Sequence, residues 1–228
     1  MNQLYHTPRE QGPRIVAIGG GHGLSNMLRG LKRYTENLSA IVTVADDGGG
    51  SGMLRRDIGM LPPGDIRHCM ESLANTEPVM QQLLTYRFES GTLRGQCFGN
   101  LLLAALNGVT GSFDEAVRSM GQVLAISGCV LPVTNTDVQL EAVFENGARV
   151  VGESSIFSAK KRQDCRIHHV SLRPEHPKAL PDAVSAIREA DMVVLGPGSL
   201  YTSVIPNLLV DGIVDAIRDC NGLKVYVC

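Results

Sequence analysis

Residues Arg14–Ile18, with the sequence Arg-Ile-Val-Ala-Ile, lead directly into the loop Gly19-Gly-Gly-His-Gly23. A short apolar run of this kind is typical of a buried parallel strand, and the glycines end it abruptly. Beyond the loop, apolar residues recur at helical spacing from Leu24 to Leu31, which predicts an amphipathic helix. A glycine-rich turn that enters a helix presents free N–H groups and the positive end of the helix dipole, so this loop is a candidate phosphate site.

A second glycine-rich loop follows the next predicted strand. Strand Ser39–Ala45 ends in the sequence Asp46-Asp-Gly-Gly-Gly-Ser-Gly52. Packing does not explain two adjacent carboxylates beside so many glycines. An acidic pair about 25 residues beyond the first loop is near the place where doubly wound folds bind ribose hydroxyls. The unit Arg14–Gly52 therefore predicts the centre of a ligand site.

Neither common nucleotide fingerprint fits the first loop. The dinucleotide pattern G-x-G-x-x-G needs a final glycine where Leu24 or Asn26 stands, and the pattern G-x-x-x-x-G-K-[ST] needs a lysine that does not follow these glycines. The missing fingerprint argues against an NAD-dependent dehydrogenase that would use Asp46 on the ribose. The residues alone leave the first loop open between a phosphate site and a tight structural turn.

A third glycine loop has the same form as the first. Strand Asp191–Leu195 breaks into Gly196-Pro-Gly-Ser199, and the carboxyl ends of parallel strands meet at one edge of a sheet, where ligands bind. Two anion-binding loops at one edge suit a diphosphate. Ser199, Tyr201 and Thr202 add hydroxyl groups there, although simple packing explains Tyr201 equally well.

The remaining pattern predicts an α/β fold, with a doubly wound, mostly parallel, Rossmann-like sheet, a helical insertion and an antiparallel β-hairpin. The hairpin joins Val138–Phe144 to Arg149–Ser154 through the turn signal Asn146-Gly147. The charged segment Lys160–Gln163 is interpreted as a surface turn. Helices are predicted at Asp65–Asn75, Pro78–Phe88, Leu101–Leu106, Phe113–Leu124, Pro181–Ala190 and Asp211–Arg218, and further strands at Ile167–Leu172 and Leu223–Cys228.

The predicted organisation is a polar N-terminal arm over residues 1–12, expected to be disordered, followed by a single α/β domain over residues 13–228. The apolar strand Leu223–Cys228 ends the chain with no helix after it to cover it. We therefore expect a C-terminal segment beyond this strand, and we expect the exposed strand to favour association into a homo-oligomer, a dimer.

Composition argues against several functions. The 228 residues carry a formal net charge of −2, so no basic surface is indicated for nucleic acid or for an anionic membrane. The six cysteines lack zinc-type spacing and are interpreted as reduced core thiols, which favours a cytoplasmic protein. The chain contains no 18-residue apolar run, and its first residues do not resemble a signal peptide. No Ser-His-Asp or Cys-His set argues for hydrolysis.

Several motifs occur in one order along the chain: Gly19–Ser25, Thr43–Gly52, Pro62–Arg67, Phe98–Leu103, Gly152–Ile156 and Gly196–Ser203. Together they resemble the bacterial gluconeogenesis factor family (UPF0052, CofD-like), which is a relative of 2-phospho-L-lactate transferase. Two departures are small. His22 stands where many members have Thr, and Gly50 stands where Ser is expected.

The resemblance implies a cytoplasmic regulator that binds a nucleotide sugar such as UDP-N-acetylglucosamine. Such a regulator is needed for cell shape and wall synthesis on gluconeogenic carbon, and it requires no cofactor. The competing interpretation is an enzyme like the phospholactate transferase, in which Asp46 or Asp47 would hold Mg²⁺ during phosphoryl transfer. No catalytic residue is assigned.

Three further polar residues join the predicted site through the resemblance. Helix capping or a first-turn position alone would explain Asp65, and capping explains Asn100 slightly better than ligand contact does. Arg67 belongs to the same motif as Asp65. The predicted ligand-binding residues are Gly20, Gly21, His22, Gly23, Asp46, Asp47, Gly49, Ser51, Asp65, Arg67, Asn100, Gly196, Gly198, Ser199, Tyr201 and Thr202.

Overall fold

The computed structural model describes residues 12–228, so the expected N-terminal arm lies outside the described residues except for Gly12. The strands are β1 Ile15–Gly19, β2 Leu38–Val42, β3 Cys129–Pro132, β4 Gln139–Phe144, β5 Arg149–Val151, β6 Ile167–Arg173, β7 Met192–Leu195 and β8 Leu223–Tyr226. They form a five-stranded sheet in the order β3-β2-β1-β7-β8, whose neighbours are all parallel, and an antiparallel three-stranded sheet in the order β5-β4-β6. The predicted α/β class is confirmed.

The helices are α1 Gly21–Leu31, α2 Gly49–Ile58, α3 Gly64–Leu73, α4 Pro78–Thr85, α5 Phe98–Thr110, α6 Phe113–Val123, α7 Glu153–Gln163, α8 Pro181–Arg188, α9 Ile205–Leu208 and α10 Ile213–Asp219. A π-helical turn, Leu200–Val204, leads into α9. Helices α2 to α6 separate β2 from β3 along the chain and form the predicted helical insertion. Within residues 12–228, no helix combines the length and the apolar character that crossing a membrane requires.

Strand β1 lies at the centre of the large sheet because its side chains are apolar on both faces. All of its residues are buried, and its parallel register pairs Ile15 with Leu38 of β2 and with Met192 of β7. Helix α1 packs against α3, and α8 packs against α10. One continuous cluster of buried side chains joins these elements to the small sheet. The carboxyl ends of β1, β2 and β7 therefore lie side by side.

The small sheet begins with the predicted hairpin. Gly147 has a φ of +83°, and Asn146 Oδ1 accepts the Ala148 N–H at 3.0 Å, as expected for an Asn-Gly turn. The second strand is shorter than predicted, since β5 ends at Val151 and Gly152, at a φ of +96°, precedes helix α7.

The interpretation of Lys160–Gln163 as a surface turn is wrong, because these residues form the end of α7. Ile156 and Ala159 are each 1% exposed and anchor one side of this helix in the core. Two buried apolar residues among charged and polar ones are too few to give a clear helical periodicity, so the sequence pattern did not predict this helix.

Candidate functional site

The first and third glycine loops touch each other at the carboxyl edge of the large sheet. A Cβ added to Gly23 would lie 2.9 Å from the carbonyl oxygen of Pro197, and one added to Gly198 would lie 3.3 Å from that of Gly20. These glycines therefore allow two neighbouring loops to approach at backbone distance, as the order β1-β7 requires.

The start of α1 is occupied by a carboxylate of the chain itself. The Gly21 N–H donates a hydrogen bond to Asp65, and a Cβ on Gly20 would lie 2.5 Å from Asp65 Oδ2. Burial and then repulsion from Asp46 raise the pKa of Asp65 to about 6, against the opposing effects of Gly21 and Arg67. Asp65 is a first-turn residue of α3, so it binds the positive end of α1 from a neighbouring helix.

Asp46 holds the turn between β2 and α2. Its Oδ1 accepts the Gly48 N–H at 2.8 Å, and its carboxylate also accepts a hydrogen bond from Ser51. Ser51 Oγ in turn accepts the Gly64 N–H at 3.1 Å, which ties α2 to the start of α3. Burial raises the pKa of Asp46, and repulsion from Asp47 adds to it, despite these hydrogen bonds.

Asp47 fixes the beginning of α7. Its Oδ1 accepts both the N–H and the hydroxyl of Ser154, at 2.9 and 2.8 Å. A Cβ on Gly152 would lie 2.3 Å from Asp47 Oδ2, so a larger residue would separate the two segments. The small antiparallel sheet is thus connected to the loop after β2, and the first turn of α7 is brought to the glycine loops.

Glu153 is a fourth carboxylate at this edge. Its pKa is raised to about 7, mainly by burial. A hydrogen bond from the Thr202 hydroxyl lowers the pKa of this carboxyl group, whereas repulsion from Asp46, Asp65 and Asp47 raises it. The carboxylates are close enough to repel one another, which disfavours full ionisation of the group. Glu153 was within a recognised motif but was not predicted as a site residue.

Arg67 and Asn100 are bound to each other below the site. Arg67 Nε donates to Asn100 Oδ1 at 2.8 Å, and the same guanidinium pairs with Glu71 and contacts His68 Nε2 at 2.7 Å. The Arg67 side chain is 5% exposed. The capping interpretation of Asn100 is wrong, because α5 begins at Phe98 and its N-cap is Cys97.

Two histidines lie beside this buried network. The rings of His22 and His68 have centroids 4.2 Å apart. Burial and then the charge of Arg67 lower the pKa of His68 to about 3, so this ring is neutral near pH 7. Arg67 donates to its Nε2, which places the ring proton on Nδ1. His68 therefore adds no positive charge beside the carboxylates near pH 7.

A cleft of about 1230 Å³ opens at the same edge, between α7 and the π-helical turn. Four of the predicted site residues line it: Asp46, Ser199, Tyr201 and Thr202. The other wall comes from residues 153–167, in which sequence patterns assigned Glu153 and Ser154 to a strand end and Lys160 and Lys161 to a surface turn. Its residues in the cleft are Glu153, Ser154, Ile156, Phe157, Ser158, Lys160, Lys161, Asp164, Cys165, Arg166 and Ile167.

The family model described as "2-phospho-L-lactate transferase CofD" matches residues 15–228. The chain belongs to the CofD family. It is 58% identical to the "Putative gluconeogenesis factor" of Thermoanaerobacterium thermosulfurigenes, over 95% of this chain and 67% of that protein. It is 57% identical to the protein of the same name from Clostridium acetobutylicum, over 95% of this chain and 48% of the relative. The family expected from the motifs is confirmed.

A crystal structure of a UPF0052 family protein from Bacillus halodurans has the same fold as this CofD-family chain. The TM-score is 0.92 at 47% identity, and the match covers 96% of this chain and 69% of that one. The chain thus spans between about half and two thirds of the relatives that it matches.

The acidic residues of this CofD-family chain do not form a metal site as they are placed. Within residues 12–228, no group of three or more His, Cys, Asp or Glu side chains is arranged to hold a metal ion. Asp46 and Asp47 were the candidates for Mg²⁺. Both use a carboxylate oxygen on neighbouring hydrogen-bond donors, Gly48 for the first and Ser154 for the second.

Proposed function

We propose that this chain is the ligand-binding part of a cytoplasmic gluconeogenesis factor that binds a nucleotide sugar. UDP-N-acetylglucosamine, or a closely related UDP-sugar, is the proposed ligand. The protein would act as a regulator, needed for cell morphogenesis and wall synthesis during growth on gluconeogenic carbon, and without a required cofactor. The names of its relatives support the gluconeogenic part of this proposal.

The dimer expected from the sequence stays a prediction that light scattering tests.

The observation that carries the proposal is the cleft at the carboxyl edge of the parallel sheet. Open α/β sheets bind ligands at this edge, and about 1230 Å³ is a large volume for a ligand site, where roughly 300–1,000 Å³ is usual. A nucleotide sugar is a long ligand of several rings, so it suits a large, open cleft better than a small metabolite does.

The polar groups in the cleft are also of the kind that sugars need. Asp46 and Glu153 present carboxylate oxygens, which accept hydrogen bonds from sugar or ribose hydroxyls. Ser199, Tyr201 and Thr202 line the opposite side with hydroxyls that both donate and accept. Because burial raises the pKa of Glu153 to about 7, this residue is able to donate as well as accept near neutral pH.

Thermal-shift measurements test the proposal directly. We expect UDP-N-acetylglucosamine to raise the melting temperature, because a ligand at 100 times its Kd stabilises the folded state by about 2.7 kcal/mol. GDP and NAD serve as comparison ligands and are expected to have smaller effects. Thr202→Val, which removes a hydroxyl from the cleft, is expected to reduce the shift, whereas Thr85→Val, at an exposed position in α4, is not. No shift with any UDP-sugar would contradict the proposal.

A second candidate is a phosphoryl or phospholactate transferase. The observation in its favour is the mutual repulsion of Asp46, Asp65 and Glu153, since an acidic cluster of this kind attracts cations. The residues do not form a Mg²⁺ site as placed, so Asp46 and Asp47 would have to exchange hydrogen-bond partners before holding the ion. A thermal shift that requires Mg²⁺, together with a phosphorylated product detected by ³¹P NMR, would support the transferase over the regulator.

A further inference from the structure

Helix α7 places an acid, an aromatic ring and two lysines in one row along the cleft. Glu153, Phe157, Lys160 and Lys161 follow one another at positions i, i+4, i+7 and i+8, and all of them line the cleft. Residues at this spacing share one side of a helix. Buried Ile156 and Ala159 anchor the helix in the core, whereas Phe157, Lys160 and Lys161 are exposed.

Phe157 is unusual for its exposure. Phe157 is 71% exposed, in a chain of which only 4% is aromatic. Leaving a phenyl ring in water forgoes the stabilisation that burying it would give the folded protein. The ring belongs to the wall of the cleft, together with Ile156 and Ser158. An exposed phenyl ring in the wall of a cleft is suited to stacking on the flat face of a ligand ring.

Lys160 and Lys161 are the second part of the row. Both are exposed, and neither forms a hydrogen bond or an ion pair with another described residue through its side chain. Arg166 and Asp164 also line this part of the cleft. With the two lysines, this gives three positively charged side chains and one negatively charged side chain. Such a group of cations is available for an anionic ligand.

The alternative anion site is already filled. At the N-terminus of α1, where a glycine loop predicts phosphate, the Gly21 N–H donates to the carboxylate of Asp65. A phosphate in that place would meet Asp65 and, close by, Asp46. Repulsion from two carboxylates opposes binding there, whereas the lysine end of α7 attracts the same group.

We propose that α7 recognises the nucleotide, with Phe157 stacked on the nucleobase and Lys160 and Lys161 paired with the diphosphate. The inference rests on the proposed function and assigns the orientation of its ligand. Along the helix, three to four residues correspond to about 4.5–6 Å, which is close to the separation of a nucleobase from its first phosphate.

The test is titration calorimetry with UDP-N-acetylglucosamine at NaCl concentrations from 50 to 500 mM. Replacing both lysines, Lys160→Ala with Lys161→Ala, is expected to weaken binding about 2- to 30-fold, as for two solvent-exposed ion pairs. The dependence of Kd on salt should become flatter in this variant, because salt screens the lost charges. The matched control is Arg162→Ala, which removes one cation from α7 outside the cleft and should change neither quantity.

Phe157→Ala is expected to weaken binding by about 5- to 150-fold, the range for loss of one stacked base, and to leave the salt dependence unchanged. Phe157→Tyr should restore most of the affinity, since tyrosine keeps the ring. Tyr34→Ala removes another exposed aromatic ring, 72% exposed and away from the cleft, and is the control for a general effect of such a change.

Two results would overturn the inference in different ways. If the unmodified protein binds the ligand and the double lysine variant binds it with the same affinity and salt dependence, the nucleotide lies elsewhere, while the proposed function stands. If the unmodified protein binds no nucleotide in calorimetry or thermal shift, the proposed function fails and the inference fails with it. Far-UV circular dichroism of each variant shows whether α7 is still folded.

Discussion

Replacing Glu153 with glutamine is expected to stabilise the protein at alkaline pH and to change its stability little near pH 5. Burial, with the neighbouring carboxylates, raises the pKa of Glu153 from 4.5 to about 7. Between these values the folded protein binds a proton that the unfolded chain has released, so stability falls as the pH rises through this window. Glutamine keeps the shape and a hydrogen bond to Thr202 but never carries the charge.

The size of the effect follows from the pKa shift. Each pKa unit corresponds to about 1.36 kcal/mol, so the upper limit is about 3 kcal/mol at pH 8.5. Asp46 and Asp65 repel the Glu153 carboxylate, and protonation of either residue relieves part of this repulsion. We therefore expect the free energy of unfolding to be about 1.5–3 kcal/mol higher for the variant. At pH 5 the expected difference is below about 1 kcal/mol.

Urea and thermal unfolding at pH 5, 7 and 8.5 measure this difference. For a domain of 150–250 residues, each kcal/mol shifts Tm by about 2–4 °C, so Glu153→Gln should melt about 3–12 °C higher at pH 8.5. The control is Glu89→Gln, an exposed position where we expect less than about 0.5 kcal/mol at any pH. A Glu153→Gln protein that is less stable than the unmodified one at pH 8.5 would refute the reasoning, because the bond to Thr202 would then outweigh burial and repulsion.

Three other changes test the buried contacts by urea unfolding. Arg67→Leu should cost about 3–5 kcal/mol, because its buried acidic and amide partners lose their cation; a loss below about 1 kcal/mol would contradict this. Gly128→Ala should destabilise by more than about 1 kcal/mol, since its Cβ would lie 2.1 Å from a carbonyl oxygen of β2 at a φ of +86°, whereas Gly108→Ala, with open space in α5, should stabilise by about 0.5–1 kcal/mol. A Gly128→Ala protein as stable as the unmodified one would show that this close approach does not limit the size of the residue. Asp47→Ala removes both hydrogen bonds to Ser154 and should cost about 1–3 kcal/mol; an unchanged midpoint would mean that α7 is held by other contacts.

The central strands and the hairpin were predictable because local patterns determine them. Strand β1 is buried on both faces, so it requires a continuous apolar run, and the Asn146-Gly147 turn selects a hairpin with little help from the rest of the chain. Strand β3 was not predicted. It has only four residues, ends in Pro132 and lies at the edge of the sheet, so it has little periodicity to detect.

The position of the glycine loops at one edge was also predictable, because parallel strands impose it. The partner of the first loop was not. Asp65 meets Gly21 because α3 packs against α1, and no local pattern specifies which carboxylate will reach a helix start. The same holds for Arg67, whose bond to Asn100 depends on the packing of two separate helices.

The sequence by itself determined the α/β class, the glycine loops and the family, because each depends on short segments whose residues act locally. Only the tertiary structure decided which residues line the cleft. Helix α7 has a weak pattern of its own, since two buried side chains hold it, and its place beside Thr202 depends on Asp47 binding Ser154 from a distant loop. Contacts between segments far apart in the chain decide such positions, and these contacts leave no periodic signal in either segment.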